Sequence, residues 1–463
     1  MMLLSHALLI VGGAWHGDEY ANFAAWRRGG ISEFIRRLVE WSPRPASELP
    51  LYLYYLAVER FKAPLIAPFL ATLWTIVIAT AGVAAWQGGG SGLLQRFTLL
   101  LATLAMGLMG PLIGSLFFWP MGAAPYLLSL LGIMVVTLQI LGGRTSSTGG
   151  QILSGCGLAL AITSSEVGYF FAVSFIGTML VLDAPRLLRS GRPRLWGAAW
   201  YLIPALLCAA VGAWILHIVF TNPMRGLGKD SPTFHDFWRS LEATIHGITA
   251  ELTLGHGPPA GMDGPASRLA AGLLFAGFLW ACRRGFVGTM AWRTALALLT
   301  GLVGCFLITI FASYYQYGSQ AHETHGSFRH VLLVLILLVA ARAMAPLWPV
   351  RGLPARIVGP AALAAAIVIA MTARAPALLA DYRLIPEIRA ARRAVWDSGL
   401  DRSQDRMRFE AAPSGALLIH MFPQPSGRYI SDTPGTEWWM EGILRFFDKR
   451  VLEMAPRTQS SAS

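Results

Sequence analysis

Apolar residues along this chain come in repeated blocks, at residues 1–14, 64–86, 95–116, 120–141, 149–163, 166–183, 196–219, 266–282, 292–312, 331–349 and 357–379. Most are about 17 to 24 residues long, enough for a helix to cross a bilayer. The pattern predicts an all-α polytopic transmembrane protein of about eleven spans. The stretch 149–183 reads two ways, as two short helices broken near Ser164, Ser165 and Glu166 or as one tilted, kinked element. The first block is short, lacks a basic leading region and shows no convincing small-x-small cleavage site. It reads as an uncleaved first span rather than a signal peptide.

The polar stretches between blocks alternate in character. The short ones are basic: Arg144 follows the fourth block, Arg186, Arg189, Arg192 and Arg194 fill 184–195, Arg283, Arg284 and Arg293 fill 283–293, and Arg351 and Arg356 fill 350–356 near Arg342. Loops of this kind stay in the cytoplasm. Eleven spans with a cytoplasmic N-terminus satisfy every placement, whereas ten put some basic loops on the wrong side. The opposite, periplasmic side then receives 15–63, 220–265, 313–330 and the C-terminal segment 381–463, outside a membrane module covering 1–380. Gathering the large polar segments on one side marks that side as the working face.

Those segments carry local patterns of their own. Ile31, Phe34, Ile35 and Leu38 recur at helical spacing, which predicts an amphipathic helix on the membrane surface. Pro43 and Pro45 stop it, and a second helix begins near Leu49 and carries Tyr52, Tyr54, Tyr55, Glu59 and Arg60. A helix is expected from Ser231 or Thr233 to about Ile245, followed by an irregular 255–261. In the tail, 386–396 reads as a charged helix, 416–419 as a short strand and 442–447 as helical.

Composition supports the membrane reading. Of 463 residues 55% are hydrophobic and only 13% charged, with a mean hydropathy of +0.52, whereas globular domains carry about a quarter charged residues. The net charge of +12, from 37 Lys+Arg against 25 Asp+Glu, would suggest a nucleic-acid partner in a soluble chain. Here the excess sits in inter-block loops, and no zinc-finger, RRM or basic-zipper pattern accompanies it, so no nucleic-acid partner is expected. Cys156, Cys208, Cys282 and Cys305 lie in or beside apolar blocks without zinc or disulfide spacing. No P-loop or Rossmann fingerprint is present.

The sharpest chemical signal is His16–Gly17–Asp18–Glu19–Tyr20, directly after the first block. Either carboxylate could act as a general base, the two could ligate a divalent cation such as magnesium or manganese, or both could simply cap a helix start. A second group comprises Tyr317, His322, His325, Arg329 and His330, suited to a phosphate or to an aromatic interfacial belt. Arg44 with Glu48 near two prolines, Tyr55, and His235 within a further group that includes Lys229, Asp236, Arg239, Glu242, His246 and His256 complete the substrate-binding candidates. Each of these also has a plain reading as a surface ion pair or packing residue. Glu166 must face protein or water if it lies within a broken membrane hairpin.

An apolar first span, the Asp18–Glu19 pair after it, a long first external loop with a surface helix, and about eleven spans resemble the GT-C superfamily of membrane glycosyltransferases. The resemblance covers most of residues 1–380. It implies a polyprenyl-phosphate sugar as donor, a cell-envelope glycan or lipid as acceptor, and a catalytic acidic residue, with Asp18 as the general base and Glu19 its rival. The WWD-type motif of oligosaccharyltransferases is absent. Together with the Ala-, Gly- and Arg-rich composition, the resemblance implies a bacterial inner membrane. A transporter or flippase, which would favour inverted repeats and a polar site at mid-membrane, and a lipid-linked polysaccharide polymerase or ligase are the alternatives.

Overall fold

The structure is a computed structural model that describes residues 1–86, 92–110, 113–188, 192–221, 231–253, 264–286, 290–319, 323–347, 353–418, 427–433 and 436–454. In chain order the helices are α1 (Met2–Leu8), α2 (Gly17–Glu40), α3 (Pro45–Phe61), α4 (Ile66–Trp86), α5 (Leu93–Gly107), α6 (Ile113–Phe117), α7 (Pro120–Leu141) and α8 (Thr148–Ser164). They continue as α9 (Glu166–Leu188), α10 (Arg192–Thr221), α11 (Phe237–Thr253), α12 (Gly264–Gly285), α13 (Trp292–Tyr317), α14 (Glu323–Met344), α15 (Leu353–Leu400) and α16 (Trp438–Phe447). Three short strands in the tail are β1 (Arg406–Phe409), β2 (Gly427–Ile430) and β3 (Val451–Met454).

The protein is an all-α polytopic membrane protein with a little sheet outside the bundle. Among the described residues, seven helices are long and apolar enough to cross a membrane, within α4, α7, α9, α10, α13, α14 and α15. Of the rest of the expected eleven, α1 and α8 are shorter, the block 95–116 is interrupted, and α12 has 22 residues but carries Arg268, Arg283 and Arg284. Helix α1 and the 3-10 turn Leu9–Gly12 behind it give about 18 Å of rise, short of the roughly 30 Å hydrocarbon thickness. Leu3 shares an apolar crevice with Val77 and Met134, mid-helix residues of α4 and α7, so this end of the chain sits at about half depth. The block 95–116 breaks after Gly107. His330 Nε2 lies 2.9 Å from Met106 O, and Arg374 Nη2 donates to Leu108 O at 2.8 Å and Gly110 O at 2.7 Å. Their side chains satisfy carbonyls that the broken helix leaves open.

Polar bonds sort the helix ends into two faces. On the first, Arg96 of α5 donates to Gly285 O at 3.1 Å, Arg293 pairs with Asp183 at 3.0 Å, and Arg342 donates to Leu141 O at 3.2 Å. This is the face of the basic loops, although Arg189 and Arg351 lie outside the described residues. On the second, Ser47 donates to Ser164 O at 2.8 Å and the His235 amide to Tyr315 O at 2.9 Å. Helices α8 and α9 are separate and meet at Ser165, as one of the two sequence readings expects.

The second face carries a folded cap. Helix α2 kinks at Gly30, whose φ of 57° and ψ of −139° need a residue without Cβ. Its second half holds the expected amphipathic stretch, with Ile31, Ile35 and Val39 exposed. Helix α3 begins with Pro45 at its first position, where a missing amide costs nothing. Helix α11 starts at Phe237, later than expected, because Asp236 caps it by accepting the Arg239 amide at 3.0 Å. Arg239 pairs with Asp236 at 3.7 Å. Residues 254–263, Lys229 and His256 lie outside the described residues.

The tail is ordered around α15, which runs unbroken through Pro376 and Pro386 and absorbs the helix expected at 386–396. Strand order is β1-β3-β2, with β1 parallel and β2 antiparallel to β3. Residues 416–418 form bends rather than the expected strand, and Ile419 lies outside the described residues. Their amides are taken by one carboxylate: Asp381 accepts from Ala416 at 2.7 Å, Leu417 at 2.8 Å and Leu418 at 2.6 Å. Helix α16 packs closely on α2, where a Cβ on Gly442 would lie 2.9 Å from the Ala21 amide nitrogen. Around Trp15, the rings of Tyr20, Phe23, Trp396 and Phe446 stand edge-on with centroids 5.0–5.4 Å away. Such pairs each add about 0.5–1.5 kcal/mol beyond area burial.

Candidate functional site

The Asp-Glu pair lies in the first turn of α2, and the turn separates the two side chains. Glu19 points inward and is fully buried. Its Oε2 accepts the His16 amide at 2.9 Å and Trp119 Nε1 at 2.8 Å, and its Oε1 accepts the Met121 amide at 3.0 Å. The first bond closes a capping box with His16, and His16 stacks on Trp119 with ring centroids 4.7 Å apart. Glu19 therefore ties the start of α2 to the start of α7. Burial pushes its carboxyl up to about 8, with the Trp119, His16 and Met121 donors opposing. Three of its roughly four lone pairs are taken by N–H donors, and Asp18 points the other way, so the two carboxylates do not converge on one cation. Among the described residues no three His, Cys, Asp or Glu side chains converge as metal ligands.

Asp18 points the other way, half-buried, into a cleft of about 600 Å³. Both halves of α2, the outer end of α10 at His217 and Thr221, and Trp438 of the tail wall this cleft. Desolvation raises the Asp18 carboxyl above its ordinary range, while Arg37 and Arg44 pull it back.

Behind Asp18 runs a line of charged groups. Asn22, one turn on, donates to Asp18 O at 2.7 Å and accepts Arg37 Nη1 at 2.7 Å. Arg37 also pairs with Glu48 at 3.0 Å. Ser42 Oγ donates to Glu48 and accepts Arg44 Nε, each at 2.7 Å. Arg44 faces Glu166 at 3.5 Å. Burial opposes ionisation of Glu48, yet Arg37, Arg44 and Ser42 hold its carboxyl below the usual range. Glu166, Arg44 and Arg329 all lie within electrostatic reach of His325, whose Nδ1 is 3.4 Å from Ser313 Oγ and whose ring meets Tyr126 edge-on at 5.7 Å. Arg329 is fully buried one turn further along α14.

The structure thus joins Asp18, Arg44, Glu48, His325 and Arg329 and sets other candidates apart. His330 serves the broken helix end at Met106. Tyr55 is buried against Phe23 and Trp26, at 5.4 and 5.7 Å between centroids, as core of the cap. His235 sits exposed on the rim, stacked on Phe234 at 4.0 Å and Tyr315 at 5.2 Å. Tyr317 is exposed at the same rim and acts on Arg44. His322 lies outside the described residues. Residues that the sequence reading did not select are Asn22, Arg37, Ser42 and Trp438. Asn22 and Arg37 had a usable signal, since Asn22 follows Asp18 by four positions and Arg37 lies on the polar side of the amphipathic stretch. Ser42 and Trp438 had none, because only the folded chain brings them here. No protein-family model matches the chain, and no curated protein matches it significantly.

Proposed function

We propose that this protein is a GT-C-like membrane glycosyltransferase. It moves a sugar from a polyprenyl-phosphate donor to a cell-envelope glycan or lipid, at the periplasmic face of a bacterial inner membrane. The observation that carries this reading is a partly desolvated carboxylate, Asp18, on the wall of a large cleft, backed by the part-buried Arg37 and Arg44. The cleft lies on the face opposite the basic loops, which is the non-cytoplasmic side under the positive-inside rule.

The chemistry follows from charge. Asp18 takes the proton of the acceptor hydroxyl as its oxygen bonds to the anomeric carbon. The bond from that carbon to the phosphate oxygen breaks, with inversion, and polyprenyl phosphate leaves. Arg44 meets its charge, and Arg329, fully buried behind His325, adds only its field. Glu19 holds Asp18 in place and touches no substrate. A transport reading draws on the broken α5–α6 segment, but there Arg374 and His330 already engage the freed carbonyls.

The test is transfer in reconstituted membranes from radiolabelled polyprenyl-phosphate sugars to lipid extracts. Asp18→Asn should reduce transfer by about 10²–10⁴-fold without lowering thermal stability. Transfer that survives this substitution refutes the assigned mechanism.

A further inference from the structure

The cleft beside Asp18 has a charge pattern unlike that of a phosphate site. Its lining includes three carboxylates, Asp18, Glu33 and Glu40, and two guanidinium groups, Arg36 and Arg37. Both arginines are already engaged by carboxylates. Arg36 pairs with Glu33 and with Glu40, the latter at 3.0 Å, and Arg37 pairs with Glu48 at 3.0 Å. An anion entering here would meet a net negative wall. A neutral, hydroxyl-rich ligand would instead find the Asp18 carboxylate, whereas Glu33 and Glu40 are themselves held by Arg36.

The tail supplies the other half of the wall. Trp438 opens α16 and stays 62% exposed, although Trp439 beside it is buried and bonded to Glu437 at 2.6 Å. Its position is fixed by the packing of α16 on α2. A Cβ on Gly17 would lie 3.2 Å from Trp438 Cη2 and 2.6 Å from Trp439 Cβ. The exposed indole is therefore held against the residue preceding Asp18, and Trp41 lines the same cleft. An indole face is electron-rich and apolar, and it suits the C–H face of a pyranose ring. The Asp18 carboxylate alongside it suits the ring's hydroxyls. The volume of about 600 Å³ lies within the range of small-molecule sites.

We infer that this cleft is a binding site for uncharged sugar rings, with Trp438 as its stacking platform and the Asp18 carboxylate as its hydroxyl acceptor. The inference deepens the proposed function by assigning the cleft to a glycan acceptor, which leaves the donor phosphate to the Arg44–Arg329 side. Trp438 is then a specificity-determining residue that touches the acceptor.

The experiment measures equilibrium binding of neutral gluco- and manno-configured di- and trisaccharides to the full chain in nanodiscs, by saturation-transfer NMR. Saturable binding is expected. It should weaken at least fivefold in Trp438→Ala, largely persist in Trp438→Phe, and change little with salt. The indole is mostly exposed, so matched melting curves will confirm that Trp438→Ala folds. Absence of saturable binding by every sugar in the panel, or binding that Trp438→Ala leaves unchanged, overturns the inference. The two readings fail separately: Trp438-dependent sugar binding without any transfer from lipid-phosphate sugars sinks the transferase and keeps the site.

Discussion

Replacing Glu19 probes the join between α2 and α7 most directly. The side chain is fully buried and accepts three N–H groups, from His16, Trp119 and Met121. Glu19→Ala strands all three, and each unsatisfied buried donor costs about 1–3 kcal/mol. Even the lower bound sums to about 3 kcal/mol, a hundredfold in a local opening equilibrium. Glu19→Gln keeps one acceptor oxygen but turns an NH₂ toward a remaining donor, at about 1–3 kcal/mol. The folded carboxyl is raised from 4.5 to about 8. Its stabilising contribution is therefore fully present below pH 4.5, declines as pH rises, and is lost as pH passes about 8. The assay is hydrogen exchange of residues 15–25 in the full chain, corrected for intrinsic rates at each pH. Protection in the wild type should fall from pH 4.5 to 8, that of Glu19→Gln should stay flat, and that of Glu19→Ala should be at least a hundredfold lower than wild type at pH 5. Unchanged protection in Glu19→Ala refutes the anchoring role, and a flat wild-type profile refutes the raised carboxyl.

Transfer by the wild type should show an acid limb governed by Asp18 at a pKa above the ordinary aspartate range, because desolvation raises it. Rates then rise with pH through that value, and a limb at or below the ordinary range would contradict the buried placement. Glu48→Gln removes the carboxylate that Arg37 and Ser42 hold and should cost about 3–5 kcal/mol, read as a lower midpoint in thermal denaturation. Because the folded carboxyl is depressed, the stability from Glu48 is present above about pH 4.5 and lost as pH falls through its lowered value. Asp381→Ala strands the amides of residues 416–418. It should loosen the tail by about 3 kcal/mol or more, seen as faster limited proteolysis near residue 416 while the membrane bundle stays intact.

Much of the bundle was legible because hydropathy and length are local. Helices α4, α7, α13 and α14 follow their apolar blocks, and the break at Ser165 was marked by Ser164 and Glu166. The interruption after Gly107 escaped the pattern, since the groups that stabilise it, His330 and Arg374, come from more than 200 positions away. The apolar run at 416–418 has the composition of a strand, but a single carboxylate on α15 removes its amides from any ladder. Asp18 was legible as an acid leaving the membrane. That its neighbour is structural was not, because Trp119 and Met121 lie about 100 residues on and the two acids look alike in sequence. Arg37 was passed over for Arg44, since prolines flagged the latter while a surface helix explained the former.

The packing of α16 against α2 sets an order of assembly. A ribosome delivers the start of α2 early, with Trp15 and Tyr20 exposing rings that later pack against Phe446 and Phe447. Those partners emerge some 420 residues later, after every spanning helix has been inserted. Through most of synthesis the early segment must wait beside the membrane with an aromatic face uncovered, and bilayer lipid is the nearest shelter for it. The cleft wall at Trp438 is put in place only when that wait ends. A chain halted before residue 438 would have its helices in the membrane and the Asp18 carboxylate present, yet no finished cleft around it.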